Sequence, residues 1–196
     1  MAIRLILLIV SVTIIGGLWP LISLLTSPES YAHDEPATSY GCSSSLPIKW
    51  STSTVSYWRD SAWDSSYKIA ISNAVNSFNN SDFTWSFQLN EELADVTWDN
   101  LNDPDFVIAG YSQMFLNCST RTFTWGVLYF NFPHFNWSSH TQDQKQCVAI
   151  HEMGHGVGLS HNTLTSIMEA DHLSNCHDSL IKALQSHDTS DLNTKY

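Results

Sequence analysis

The chain has 196 residues, 43% of them hydrophobic, and carries 19 acidic against 8 basic side chains for a formal net charge of −11. Such a field repels polyanions, so nucleic acid and anionic membrane surfaces are disfavoured as partners. The length suits one domain with a sizeable core.

Export is the first expectation from the N-terminus. No charge follows Arg4 until Glu29, and most of the stretch from Leu5 to Leu25 is apolar. A cleavable signal has an apolar core of about 7–15 residues and a membrane span about 20, so residues 5–25 fit either. Ser30-Tyr31-Ala32 places small residues at the two positions that a signal peptidase reads, and Gly16, Gly17 and Pro20 interrupt the stretch late. Residues 1–32 are therefore read as a signal peptide, the alternative being a retained N-terminal membrane anchor. In both cases the remainder lies outside the cytoplasm. Removing 1–32 takes away one acid, Glu29, and one base, Arg4, and leaves the charge balance unchanged. Four cysteines remain, Cys42, Cys118, Cys147 and Cys176. An even number in an exported chain favours two disulfides, with three connectivities open. The alternative is that a thiolate contacts a metal.

Residues 33–46, rich in Ser, Pro and Thr, read as an exposed lead-in. A first strand is predicted around Thr54 to Trp58. Ser61 then precedes Trp63, Tyr67, Ala70, Ala74 and Phe78, whose spacing predicts an amphipathic helix closed by Asn79-Asn80. Phe83, Trp85, Phe87 and Leu89 alternate with polar residues, as do Ala94, Val96 and Trp98, which predicts two half-buried strands. Asp99 to Asp105 reads as an acidic loop. Strand-like runs follow at Phe106 to Met114 and Phe123 to Phe132, and Thr141 with Gln144 forms a capping box for the next helix. No internal repeat is visible.

That next helix carries the stretch on which function turns: His151-Glu152-Met153-Gly154-His155-Gly156-Val157-Gly158-Leu159-Ser160-His161. With about 3.6 residues per helical turn, His151 and His155 fall on one face and can present two imidazoles to one metal ion. Gly158 lets the chain leave the helix through a conformation that a Cβ resists, and the turn brings His161 round as a third ligand. Catalytic zinc takes His nitrogen and keeps one of its positions for water. Glu152, beside the first ligand, can reach that water as a general base. The bland alternative is an exposed helix that happens to carry three histidines. A chance match to all five positions in a chain this long has odds on the order of 10⁻⁴, so the metal reading is preferred.

These residues resemble the metzincin signature, H-E-x-x-H-x-x-G-x-x-H followed by a Met-turn. Ser166-Ile167-Met168 is similar to that turn and places Met168 beneath the metal. Gly156-Val157-Gly158-Leu159-Ser160-His161 looks like the ending found in matrixins, particularly the small secreted bacterial relatives of the matrix metalloproteinases. Tyr129-Phe130-Asn131-Phe132, with Trp137 beyond, resembles their last strand before the active-site helix, and Asp188 to Tyr196 resembles their closing helix. The resemblance implies an α+β (α/β-type) zincin-like catalytic domain over residues 47–196. Its parts would be a twisted mixed sheet, two long helices and a small C-terminal subdomain with the Met-turn. It further implies a secreted zinc endopeptidase, expected to be a monomer, with a protein or peptide substrate. The ligands would be His151, His155 and His161, and the general base Glu152. The strand near Val107 to Met114 would form the upper rim of the cleft, and the loop from Glu169 to about Ser179 would shape the pocket. Two alternatives are a zinc hydrolase of narrow, non-proteolytic or peptide-trimming substrate range and an inactive zinc-binding module; the presence of Glu152 disfavours the latter.

The departures from the pattern are specific. Asn162 follows the third histidine where matrixins mostly carry Ser, and His161 to Met168 is shorter than in the vertebrate enzymes. Ala170 stands where astacins and serralysins place a Tyr. Gly41-Cys42-Ser43 lacks the surroundings of the matrixin latency switch. Asp99, Asn100, Asn102, Asp103 and Asp105 offer oxygen ligands for Ca²⁺, but without a known calcium-loop spacing, so a solvated turn is preferred. His172, His177 and His187 read as solvated loop histidines and the tryptophans as core rather than a sugar platform. Asn79, Asn117 and Asn136 begin N-x-Ser sequons.

Overall fold

A computed structural model describes residues 41–43, 46–103, 109–132, 140–162, 166–169, 176 and 181–196. The elements run β1 (Thr54–Arg59), α1 (Ser65–Phe78), β2 (Thr84–Phe87), a 3-10 turn (Glu91–Leu93), β3 (Val96–Asn100), β4 (Gly110–Asn117), β5 (Thr122–Phe130), α2 (Gln142–Gly156) and α3 (Ser186–Lys195). The class is α+β, as expected. The predicted signal or anchor at 1–32 and most of the lead-in lie outside the described residues. Among the described residues, no helix is long and apolar enough to cross a membrane.

Five strands form one mixed sheet in the order β2-β1-β3-β5-β4. The first four of these neighbours run parallel, while β4 closes the sheet antiparallel to β5 as a hairpin with an irregularity between Phe115 and Leu116. Parallel neighbours need a crossover, and α1 supplies the one between β1 and β2. Its apolar face, Tyr67, Ala70, Ile71, Ala74, Val75 and Phe78, is buried against the sheet and against α2. Trp98, Leu128 and Phe130 present the matching sheet surface and are at most 1% exposed. On the opposite sheet face, the cross-strand pairs Tyr111–Tyr129 and Phe115–Trp125 stack on each other.

Three details differ from the sequence expectation. Helix α1 begins after Asp64, whose carboxylate accepts from the Ser66 backbone N–H, and not at Ser61. Trp63 therefore stands outside the helix and packs on Tyr67 and Phe132. The strand predicted from Phe83 to Leu89 pairs only through Phe87, because β2 is an edge strand with one neighbour; beyond it Leu89 is 90% exposed. The tryptophan reading holds for Trp50, Trp85 and Trp98, which are buried, but Trp125 is 41% exposed.

Two disulfides are formed, Cys42–Cys118 and Cys147–Cys176, and no described cysteine is free. They resolve the pairing that the sequence left open and are consistent with an oxidising, extracytoplasmic setting. The first ties the start of the described chain to the β4–β5 hairpin. The second ties the segment after Met168 to α2, one turn before His151.

Candidate metal centre

Helix α2 begins as its sequence predicts. The Thr141 hydroxyl accepts from the Gln144 backbone N–H at 3.2 Å, and the Gln144 side chain accepts from the Thr141 N–H at 2.8 Å. Fourteen residues after Gln142 the helix ends, and Gly158 leaves it at φ +80°. This is the left-handed conformation expected of it. The Gly158 N–H reaches the His155 carbonyl at 2.8 Å and the Leu159 N–H reaches the Gly154 carbonyl at 2.9 Å, closing a tight turn. His161 emerges from this turn toward the helix.

The three histidines converge as the spacing predicted. Their Nε2 atoms form a triangle with sides of 3.1, 3.2 and 3.1 Å. A tetrahedral zinc ion with bonds of about 2.0–2.1 Å separates its ligand atoms by about 3.3–3.4 Å, so the triangle has the right size for one ion. The proton positions point the same way. His151 Nδ1 lies 2.7 Å from the Ile167 carbonyl and His155 Nδ1 lies 2.9 Å from the Leu159 carbonyl. A carbonyl only accepts, so each of these Nδ1 atoms donates there, and in the neutral imidazole Nε2 is then the nitrogen open to a metal ion. The arrangement can hold a metal ion, with the ligand tautomers set by backbone carbonyls. It is the one such group among the described residues.

Glu152 is 2% exposed, and burial alone raises its carboxyl from an ordinary carboxylate value to about 8. A cation on the three histidines opposes that shift by favouring the carboxylate. The seat of this side chain is a residue that the motif does not name. A carbon added to Gly110 would lie 2.6 Å from Glu152 Oε1, 2.8 Å from its Cγ and 2.8 Å from Val148 Cγ1. The Glu152 side chain is thus pressed directly onto the backbone at the start of β4, where a Cβ would force a shift. The one sequence signal was a glycine inside a strand pattern, which marks close backbone approach.

Met168, 1% exposed, rests its sulfur against the backbone of Gly154 in α2. The turn around it is tied to the metal loop. The Met168 carbonyl accepts from the Asn162 N–H at 2.8 Å, the Ser166 hydroxyl donates to Asn162 Oδ1 at 3.1 Å, and the Ile167 carbonyl orients His151. Asn162 is 4% exposed, so the residue that departs from the matrixin pattern is a buried brace for this turn.

The other candidates are not brought to this site. Among the calcium candidates, Asp99 Oδ1 accepts from the Asn100 N–H, and Asn100 Oδ1 accepts from the N–H groups of Asn102 and Phe132. Those contacts describe a self-bonded turn; Asp105 lies outside the described residues. So do Trp137, Asn136, Ala170, His172, His177 and most of the loop from Glu169 to Ser179. His187 pairs with Asp188 at 3.1 Å on α3. The sequon residues Asn79 and Asn117 are exposed and already accept from backbone N–H groups with their Oδ1 atoms. Comparison with models of known protein families gives no match to this chain, and no curated protein matches it.

Proposed function

We propose that the chain is a secreted zinc-dependent endopeptidase of the metzincin type, resembling matrixins. The observation that carries this reading is the convergence of three histidine Nε2 atoms within 3.1–3.2 Å of one another beside a buried glutamate. His151, His155 and His161 would hold the zinc ion. When bound, zinc polarises the scissile carbonyl and acidifies a water molecule. Glu152 takes the proton from the attacking water and hands it to the departing amine. Its burial suits both halves of that role, since a carboxylate that easily binds a proton also carries it to the leaving group.

Strand β4 closes the sheet next to α2 and leaves one edge without a strand neighbour among the described residues. An extended peptide adds to such an edge through backbone hydrogen bonds, which supports a substrate of the unfolded or extended protein type. The two disulfides support an extracellular site of action, and residues 1–32 supply the export signal or membrane tether.

The test is metal analysis together with proteolysis. Purified protein is expected to carry one zinc per chain and to degrade an unfolded protein such as casein. A chelator should abolish the activity and added zinc restore it. Full casein turnover by Glu152→Gln would overturn the mechanism, and a protein that retains no metal would overturn the site.

A further inference from the structure

A helix ends with carbonyl groups that have no partner within it. At the C-terminal end of α2 the carbonyl of Gly156, its last residue, is one such group, and those of Val157 and Gly158 follow it in the turn beyond. Each is taken by a side chain from a distant part of the chain. The Trp50 indole N–H donates to Gly156 O at 2.8 Å, the Tyr196 hydroxyl to Val157 O at 3.1 Å, and the Lys195 ammonium to Gly158 O at 2.6 Å. The Tyr196 oxygen also accepts from the Trp50 backbone N–H at 3.1 Å, which joins two of the three donors to each other. Lys49 in turn donates to the Lys195 carbonyl at 2.9 Å.

These bonds fall on the segment between the second and third histidine. The Leu159 carbonyl that orients His155 and the backbone that delivers His161 lie one and three residues beyond Gly158. Gly158 itself is confined: a carbon added to it would lie 2.8 Å from the Ile48 carbonyl and 2.9 Å from Lys195 Nζ. Lys195 is 7% exposed, so its ammonium has been taken out of water to sit against this turn. A cation at a helix C-terminus is favoured by the helix dipole, and burial makes that contact stronger and more exact in position than a surface one.

We propose that Lys195 and Tyr196, with Trp50, form a latch that sets the geometry of the metal loop, so that the closing helix α3 is a positioning element for His155 and His161. The inference rests on the metal reading above and adds residues that the metal motif does not contain. None of the three is a ligand or touches the reacting atoms. Their effect passes through the carbonyls of residues 156–158 to the two imidazoles.

The experiment uses the full chain with Lys195→Met and Tyr196→Phe, each of which removes one donor and keeps most of the side-chain volume. Asn193→Ala is the control, because Asn193 ties the same helix to Asp82 and not to the metal loop. Zinc affinity is read by competition with a chromogenic chelator, and ligand geometry by the visible spectrum of the cobalt(II)-substituted protein. Residues that orient metal ligands typically contribute about 10- to 100-fold in metal affinity. Lys195→Met is expected to weaken zinc binding by that order and to shift the cobalt bands, Tyr196→Phe by less, and Asn193→Ala not at all. Should Lys195→Met fail to fold, Tyr196→Phe and the cobalt spectrum carry the test. Wild-type zinc affinity and an unshifted spectrum in the folded variants would overturn the latch. A wild-type chain that binds neither zinc nor cobalt would instead overturn the metal reading itself.

Discussion

The two ends of α2 are built in opposite ways. At the N-terminus the orphan N–H groups are satisfied by residues three positions apart, Thr141 and Gln144, within a single turn. At the C-terminus a local turn takes the Gly154 and His155 carbonyls, but the next three, those of residues 156–158, are taken by Trp50, Tyr196 and Lys195, which lie 106, 39 and 37 residues away in the chain. A local cap forms whenever the helix forms. A remote one exists only once the domain has closed. The end that carries His155 and leads to His161 is thus the end whose geometry depends more on the whole fold.

Substitutions can break this contrast, and the largest effects are expected at the C-terminal half. Glu152→Gln keeps the shape of the side chain and removes its basicity; general-base removal costs about 10²- to 10⁴-fold in rate. Peptide cleavage should fall by that order while zinc content stays at the wild-type level. Removing the Cys147–Cys176 disulfide with paired serines frees a 29-residue separation, and chain entropy puts the loss at about 3–4 kcal/mol. Urea unfolding under non-reducing conditions reads it.

Gly110→Ala sharpens the contrast from the other side, since it disturbs α2 through β4. The added carbon displaces the Glu152 carboxylate, and a shift of about 1 Å in a catalytic group costs about 10²-fold. The expected signature is a lower kcat with zinc affinity unchanged, and an equal loss of zinc would show that the helix had moved as a whole. The smallest effect belongs to Thr141→Ala. Loss of the cap costs about 1 kcal/mol of stability, seen as a lower urea midpoint, with zinc affinity and turnover preserved. A loss of zinc binding in that variant would erase the distinction between the two ends.

What could be read without coordinates follows the same division. The histidine spacing, the capping box and the positive φ of Gly158 are relations among residues within one or two turns, and each is present where the pattern placed it. The alternation runs from Phe83 to Leu89 but β2 covers only Thr84–Phe87, because pairing, not pattern, decides where an edge strand stops. The role of Asn162 as a brace is not legible in the sequence, because it rests on its burial and on its bond to Ser166 across the turn.

The amino-acid sequence by itself determined that His151, His155 and His161 could converge and that a capped helix would carry the first two, because these depend on helical period and local capping. Only the tertiary structure decided which cysteines pair, that Gly110 seats Glu152, and that Lys195 and Tyr196 bond to carbonyls between His155 and His161. Those contacts join residues tens of positions apart. Their partners are chosen by how the sheet and helices pack, and no local pattern encodes that choice.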